Sequence, residues 1–139
     1  MGLILDTSAL VAWERAENSG LTLTLALADC EELVMPAVVW AEALVGVRLA
    51  DSAARAARRM ARLEALRRVM GIEPFTAETA EHHADIFAEL TQSGTMIPQN
   101  DIAVAATARC LGCGVLVGPR DEAHFRRIAG LEVRVLTSN

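Results

Sequence analysis

Gly2-Leu3-Ile4-Leu5-Asp6-Thr7-Ser8-Ala9-Leu10 runs from a short apolar stretch straight into a carboxylate and two hydroxyls. An apolar run of this length, stopped by polar residues, reads as a buried strand. Asp, Thr and Ser all cap helices, so the polar triplet predicts a strand-to-helix turn. Turn chemistry alone would account for it. The sharper reading is that the strand delivers Asp6 to a place where carboxylates from far along the chain also arrive.

Working outward, the same alternation repeats. A helix is predicted from Ser8 to about Glu14, and a second apolar helix over 21–28. Leu33-Val34-Met35 reads as a strand stopped by Pro36, which is well placed to open a helix from Ala37. The Ala-, Leu- and Arg-rich span 51–70 is strongly helix-forming and ends at Gly71. Ile72 to Phe75 reads as a third strand, and Pro74 confines it to a strand end or sheet edge. Thr76 is the expected N-cap of a helix reaching Leu90. An Ala-rich helix after Asp101 ends near Leu111, with Gly112 and Gly114 at its exit. Val115-Leu116-Val117 and Val133 to Leu136 complete five strands, with a loop and short helix over 120–127 between them. Short apolar strands alternating with helices predict an α/β fold with a mainly parallel central sheet. No repeat, low-complexity tract or linker divides 1–139, so a single domain is expected.

Bulk properties narrow the function. With 53% hydrophobic residues among 139, the chain can bury a sizeable core. No stretch reaches the roughly 18–20 apolar residues needed to span a bilayer. The N-terminus carries no basic leader, and Asp6 interrupts its apolar run, so a cytoplasmic protein is expected. Cys30, Cys110 and Cys113 are too few and too odd in number for a disulfide framework. Cys110-x-x-Cys113 resembles a zinc or redox pair, but no further ligand lies near in sequence, which favours a structural role beside a helix-to-strand turn. A net charge of −5 argues against a surface that grips nucleic acid all round. All 13 basic residues are Arg, and Arg48, Arg55, Arg58, Arg59, Arg62, Arg67 and Arg68 fall in one short span. Arg favours bidentate contact with phosphate or carboxylate. That span fits an RNA backbone, an acidic protein partner, or simply a solvated helix face.

Sites in open parallel sheets form beyond the carboxyl ends of the strands. Asp6 follows the first strand and Asp121 the strand at 115–117, while Asp101 opens a helix whose N-terminus belongs to that edge. Each of the three could merely cap a helix and oppose its dipole. Glu42 is harder to explain that way, because Trp40, Ala41, Ala43, Leu44 and Val45 surround it, and a charged Glu is rarely buried without a partner. Clustered carboxylates repel one another, and a hard divalent cation, Mg2+ or Mn2+, relieves that repulsion. Such ions support in-line attack on phosphodiesters.

The segments LDTSAL (5–10), WAEALVG (40–46), IPQNDIAVAATA (97–108) and RDEAHFRRIAGLEV (120–133) together resemble a PIN-domain ribonuclease of the VapC toxin type, in the expected order and through nearly the whole chain. The resemblance implies a Mg2+- or Mn2+-dependent endoribonuclease acting on structured RNA such as tRNA or ribosomal RNA, usually homodimeric and neutralised by a cognate VapB-type antitoxin. It places the acidic ligands at Asp6, Glu42 and Asp101, with Thr7, Ser8 and Asn100 as supporting polar neighbours. Asp6 and Asp101 would hold the principal ion, and Glu42 and Asp121 would bind directly or through water. The chain departs from its relatives after the fourth strand, where Gly118-Pro119-Arg120 precedes Asp121 and Glu122. Asp121 is favoured as the fourth acid, with Glu122 in reserve. His124 stands where relatives often carry an acid. Local packing or hydrogen bonding is the expected role for it, and metal ligation the alternative. His82 and His83 point apart on one helix and are expected to make poor joint ligands. Arg15, Arg58, Arg59, Arg62 and Arg120 are the expected RNA contacts. The rival readings are a PIN-like module that binds RNA or protein with little catalysis, a Mg2+-dependent phosphatase, which would want a second Asp where Ser8 stands, and a deoxyribonuclease.

Overall fold

In the computed structural model, which describes residues 2–18, 23–24 and 32–138, the opening stretch lies at the centre of the molecule. Leu3–Leu5 forms β1, buried along its whole length. It is flanked by two parallel neighbours, β3 (Leu33–Pro36) and β5 (Gly114–Val117), in the registers Ile4↔Val34 and Ile4↔Val115. Beyond these lie β4 (Ile72–Glu73), paired with β3, and β6 (Val133–Val135), paired with β5. The sheet therefore has the order β4-β3-β1-β5-β6 and is parallel throughout. Parallel strands covered on both faces need continuous apolar runs rather than alternating ones, and Leu3-Ile4-Leu5 and Val115-Leu116-Val117 supply them.

Helices connect the strands: α1 (Thr7–Asn18), α2 (Ala37–Arg48), α3 (Ala53–Val69), α4 (Ala77–Ser93), α5 (Gln99–Leu111) and the short α6 (Glu122–Phe125). Thr76 caps α4 as expected, its hydroxyl accepting from the Thr79 N–H at 3.2 Å. Ser52 does the same for α3. α5 passes against the sheet with Ile102 to Ala108 buried, which explains its Ala-rich composition: small side chains let the helix approach closely. It ends at Gly112, which adopts the left-handed conformation (φ 66°) that closes a helix without a Cβ penalty. Pro74 stands just past β4, which is an edge strand; the missing N–H costs nothing there.

Three expectations are corrected. α1 continues to Asn18 instead of stopping near Glu14. The strand expected over 72–75 is cut to two residues by Pro74. Within the span expected as helix over 21–28, Leu23–Thr24 instead forms β2, antiparallel to an unforeseen β7 (Thr137–Ser138). The alternation Leu21-Thr22-Leu23-Thr24-Leu25 is a period of two and carries that strand signal. The rest of that expected helix, and Cys30, lie outside the described residues.

Candidate active site

The carboxyl edge of the sheet collects the acids. Asp6 is the first residue past β1 and is almost completely buried. It also caps α1: the Ser8 N–H donates to its Oδ2 at 3.0 Å, and the Ser8 hydroxyl donates a short hydrogen bond to the same oxygen. Cap and site duties thus coexist in one side chain. The Ser8 Oγ in turn accepts from the Gly118 N–H at 2.9 Å, so one hydroxyl ties the start of α1 to the loop after β5. That loop lies so close that a Cβ on Gly118 would meet the Ser8 carbonyl oxygen at 2.3 Å. Only glycine fits there, and the tight approach brings the segment carrying Asp121 back over the edge.

Asp121 and Asp101 are both buried. Asp121 occupies the N-cap position of α6, yet its side chain makes no capping bond; it takes the Arg120 guanidinium instead, Nε to Oδ1 at 3.3 Å. Asp101, in the first turn of α5, meets His124 Nδ1 at 2.7 Å. His124 Nδ1 is also 3.8 Å from Asp121 Oδ1. The expectation that His124 bonds locally is therefore corrected: α6 aims it at the third acid, 23 residues away in sequence. Glu42, on α2, accepts from the Thr7 hydroxyl at 3.1 Å. Glu122 pairs with Arg126 at 3.1 Å, whereas Asp121 faces Asp6, Glu42 and Asp101 electrostatically. Asn100 is exposed, one residue before Asp101.

The electrostatics show the cost of this arrangement. Burial raises the Asp6 carboxyl above its usual range against the pull of the Ser8 hydrogen bonds, and Asp121 adds repulsion. Burial also raises Glu42, with Asp6 and Asp121 adding to it. Asp101 is pushed up to about 6, mainly by desolvation and further by Asp6 and Asp121, while His124 pulls the other way. Arg120 is shifted further upward by its bond to Asp121. Asp6 and Asp121 thus both repel Glu42 and Asp101, while Arg120 eases Glu42 and His124 eases Asp101 without cancelling the rise. Asp101, Asp121 and His124 offer ligand atoms within 4.8 Å of one another. Buried oxygen donors carrying excess negative charge suit a hard divalent cation.

Beside Thr7 and Glu42 a groove of about 410 Å3 opens between α1, α2 and α3. It runs over Leu10 and Gly46 to Arg55, Arg59 and Arg62, and exposed Arg15 lines it too. The arginines are not equivalent. Arg59 donates to Glu14 at 3.0 Å and to the Gly46 carbonyl at 2.8 Å, fastening α3 to α1 and α2. Arg62 stands 3.9 Å from the same Glu14, and Arg67 lies over the Trp40 ring at 5.4 Å. Arg58 is exposed. Part of the basic span is therefore internal scaffolding, which sequence alone did not separate from binding residues.

A family model described as "PIN domain" matches residues 3–131. Ribonuclease VapC1 of Rickettsia felis is 30% identical over 138 residues, covering 99% of this chain and 98% of the relative. Ribonuclease VapC of Rickettsia bellii is 29% identical, covering 96% and 95%. Among solved structures, VapBC2 from Rickettsia felis bound to a DNA fragment from their promoter superposes with a TM-score of 0.77 at 21% identity, covering 97% of this chain and 98% of that one. The chain belongs to the PIN-domain family, in its VapC branch. No helix among the described residues is long and apolar enough to cross a membrane.

Proposed function

We propose that the protein is a metal-dependent endoribonuclease toxin that hydrolyses phosphodiester bonds in structured RNA, tRNA or ribosomal RNA, and is neutralised by a cognate VapB-type antitoxin. The observation that carries this reading is the convergence of Asp6, Glu42, Asp101 and Asp121 at the sheet's carboxyl edge in a chain related to VapC ribonucleases. Asp6 and Asp101 would hold Mg2+ or Mn2+, with Asp121 and Glu42 binding directly or through water. A divalent cation there supplies charge stabilisation for the phosphodiester undergoing attack and makes a water more acidic. Ser8 keeps the Asp6 carboxylate in one rotamer, Thr7 does the same for Glu42, and His124 orients Asp101. The exposed Arg58 and Arg15 would position the RNA backbone without reading its sequence. The toxin reading draws on the same charge: a buried acidic edge would receive a basic side chain from an antitoxin, and VapBC-5 from Mycobacterium tuberculosis, whose structure this fold resembles with a TM-score of 0.73, is a member of the VapBC family of toxin-antitoxin systems.

The test is cleavage of total RNA by purified protein with Mg2+, with Mn2+ and with EDTA, beside Asp6→Ala. Discrete fragments that require both the ion and Asp6 are the expected result. Folded, ion-binding protein that leaves every RNA intact, including RNA from cells in which its expression arrests growth, would point to a module that binds without cutting.

A further inference from the structure

α4 and α5 form an antiparallel hairpin joined by residues 94–98. At the open end of this hairpin, away from the joining loop, the first turns of α4 meet the last turn of α5. Glu78 and His82 lie four residues apart, hence on one face of α4. Cys110 faces them from α5. A carboxylate oxygen, an imidazole nitrogen and the Cys110 Sγ all lie within 4.8 Å of one another. Cys110 is a free thiol. His83 turns away to meet the Phe75 ring edge-on at 5.9 Å, which leaves His82 as the histidine that faces the thiol.

We infer that Glu78, His82 and Cys110 form a second cation site, chemically distinct from the acidic edge and suited to Zn2+. The ligand set decides the ion. A thiolate and an imidazole select zinc or a similar borderline cation over Mg2+ and Mn2+. Zinc takes sulfur at ~2.3 Å and nitrogen or oxygen at ~2.0–2.2 Å in a tetrahedron, so its ligands stand ~3.3–3.8 Å apart. The three atoms, within 4.8 Å of one another, would close to that spacing by side-chain rotation on binding, with water in the fourth position. The last turn of α5 directs its carbonyls toward this end, and their negative potential favours a cation. Arg109, the nearby positive group in that turn, is engaged with Glu89 at 3.2 Å. Cys110 lies 28 and 32 positions from His82 and Glu78 in sequence, which is why the Cys110-x-x-Cys113 pair read alone lacks its remaining ligands. Cys113 is not among the three.

Such an ion would clamp the first turns of α4 to the end of α5, roughly 14 Å along the axis from Asp101 at nine residues' separation. It is therefore a fastening for the helix that carries Asp101, and it does not depend on the chain being a nuclease.

The experiment uses Co2+ as a spectroscopic stand-in for Zn2+ on the full chain under reducing conditions. Only a cobalt–thiolate bond gives the intense near-ultraviolet charge-transfer band, so oxygen-bound cobalt at the acidic edge is silent there. One Co2+ per chain should develop the band, and Zn2+ should abolish it. Cys110→Ser should remove it. His82→Asn, at a partly exposed position that should fold normally, should weaken Zn2+ affinity by at least about 10- to 100-fold. Cys113→Ser and Asp101→Asn should leave the band intact. With the acidic edge saturated by Mg2+, Zn2+ should raise the melting temperature of the wild type by more than it raises that of Cys110→Ser. Absence of the band, its survival in Cys110→Ser, or its loss in Cys113→Ser would overturn the inference.

Discussion

The acidic edge and the arginine groove share a wall at Thr7 and Glu42, yet they are built on opposite terms. At the edge, buried carboxylates are driven together in excess over the basic groups beside them, Arg120 and His124, and burial and mutual repulsion raise their pKa values. In the groove, Arg59 and Arg62 face Glu14 and the charges offset one another. The first region is destabilising until a cation arrives; the second is scaffolding that also presents positive charge. Charge placed for chemistry and charge placed for stability differ in how fully the protein supplies the partner.

Removing an acid probes the first region most severely. Asp6→Asn and Asp101→Asn are each expected to lower RNA cleavage at least 1000-fold, roughly 4 kcal/mol of barrier, while circular dichroism stays unchanged; near-wild-type cleavage after removal of contaminating nuclease would refute their assignment. Next comes the backbone that holds the edge together. Gly118→Ala forces the Ser8 carbonyl to move and is expected to cost about 3 kcal/mol, or ~10 °C in melting temperature, measured by calorimetry.

The pH dependence of stability sharpens the comparison. Folding raises the Asp101 carboxyl from 3.8 to about 6, so the folded chain holds that proton more tightly than the unfolded chain. The resulting stability is complete below about pH 4 and is lost as pH climbs through about 6. Asp6 and Glu42 shift in the same direction. In EDTA, the melting temperature of Asp101→Asn relative to wild type should therefore rise between pH 4 and pH 7. Saturating Mg2+ at pH 7 should close that gap by stabilising only the wild type. A difference that is flat with pH would show that the edge is not under this strain.

The smallest effects separate the arginines. Arg59→Ala should cost about 1 kcal/mol of stability through its lost ties to Glu14 and Gly46. Arg58→Ala should leave stability alone and reduce the salt slope of RNA binding by about 1. Equal behaviour of the two variants would dissolve the distinction.

Much of this architecture was legible because strand and site coincide in the sequence. Apolar runs that end in Asp6 and just before Asp121 announce both a parallel sheet and the edge where its acids gather. Glu42 betrayed itself as a charge amid apolar neighbours. Other features depend on contacts that leave no local trace. The Ser8–Gly118 bond joins residues 110 apart, and nothing in Gly118-Pro119 shows which atom will press against it. His124 on α6 reaches Asp101 on α5 across 23 residues of sequence. Composition marked the arginine span as basic, but the Glu14 partner that divides it into structural and free residues comes from another helix. β2 was a misreading of period: Leu-Thr alternation was legible and was outweighed by the apolar content of 21–28.

The place of β1 between β3 and β5 has a consequence for synthesis. Its partner β5 and the acid Asp121 are translated more than a hundred residues after Asp6, roughly 6–20 s later at ordinary elongation rates. Until then β1 lacks a neighbour on one side, and Asp6 has neither the Gly118 tie nor its fourth acid. A nascent or prematurely terminated chain that stops short of Asp121 thus holds no finished edge, and the ribosome that makes the protein completes it only once β5 and α6 have been translated.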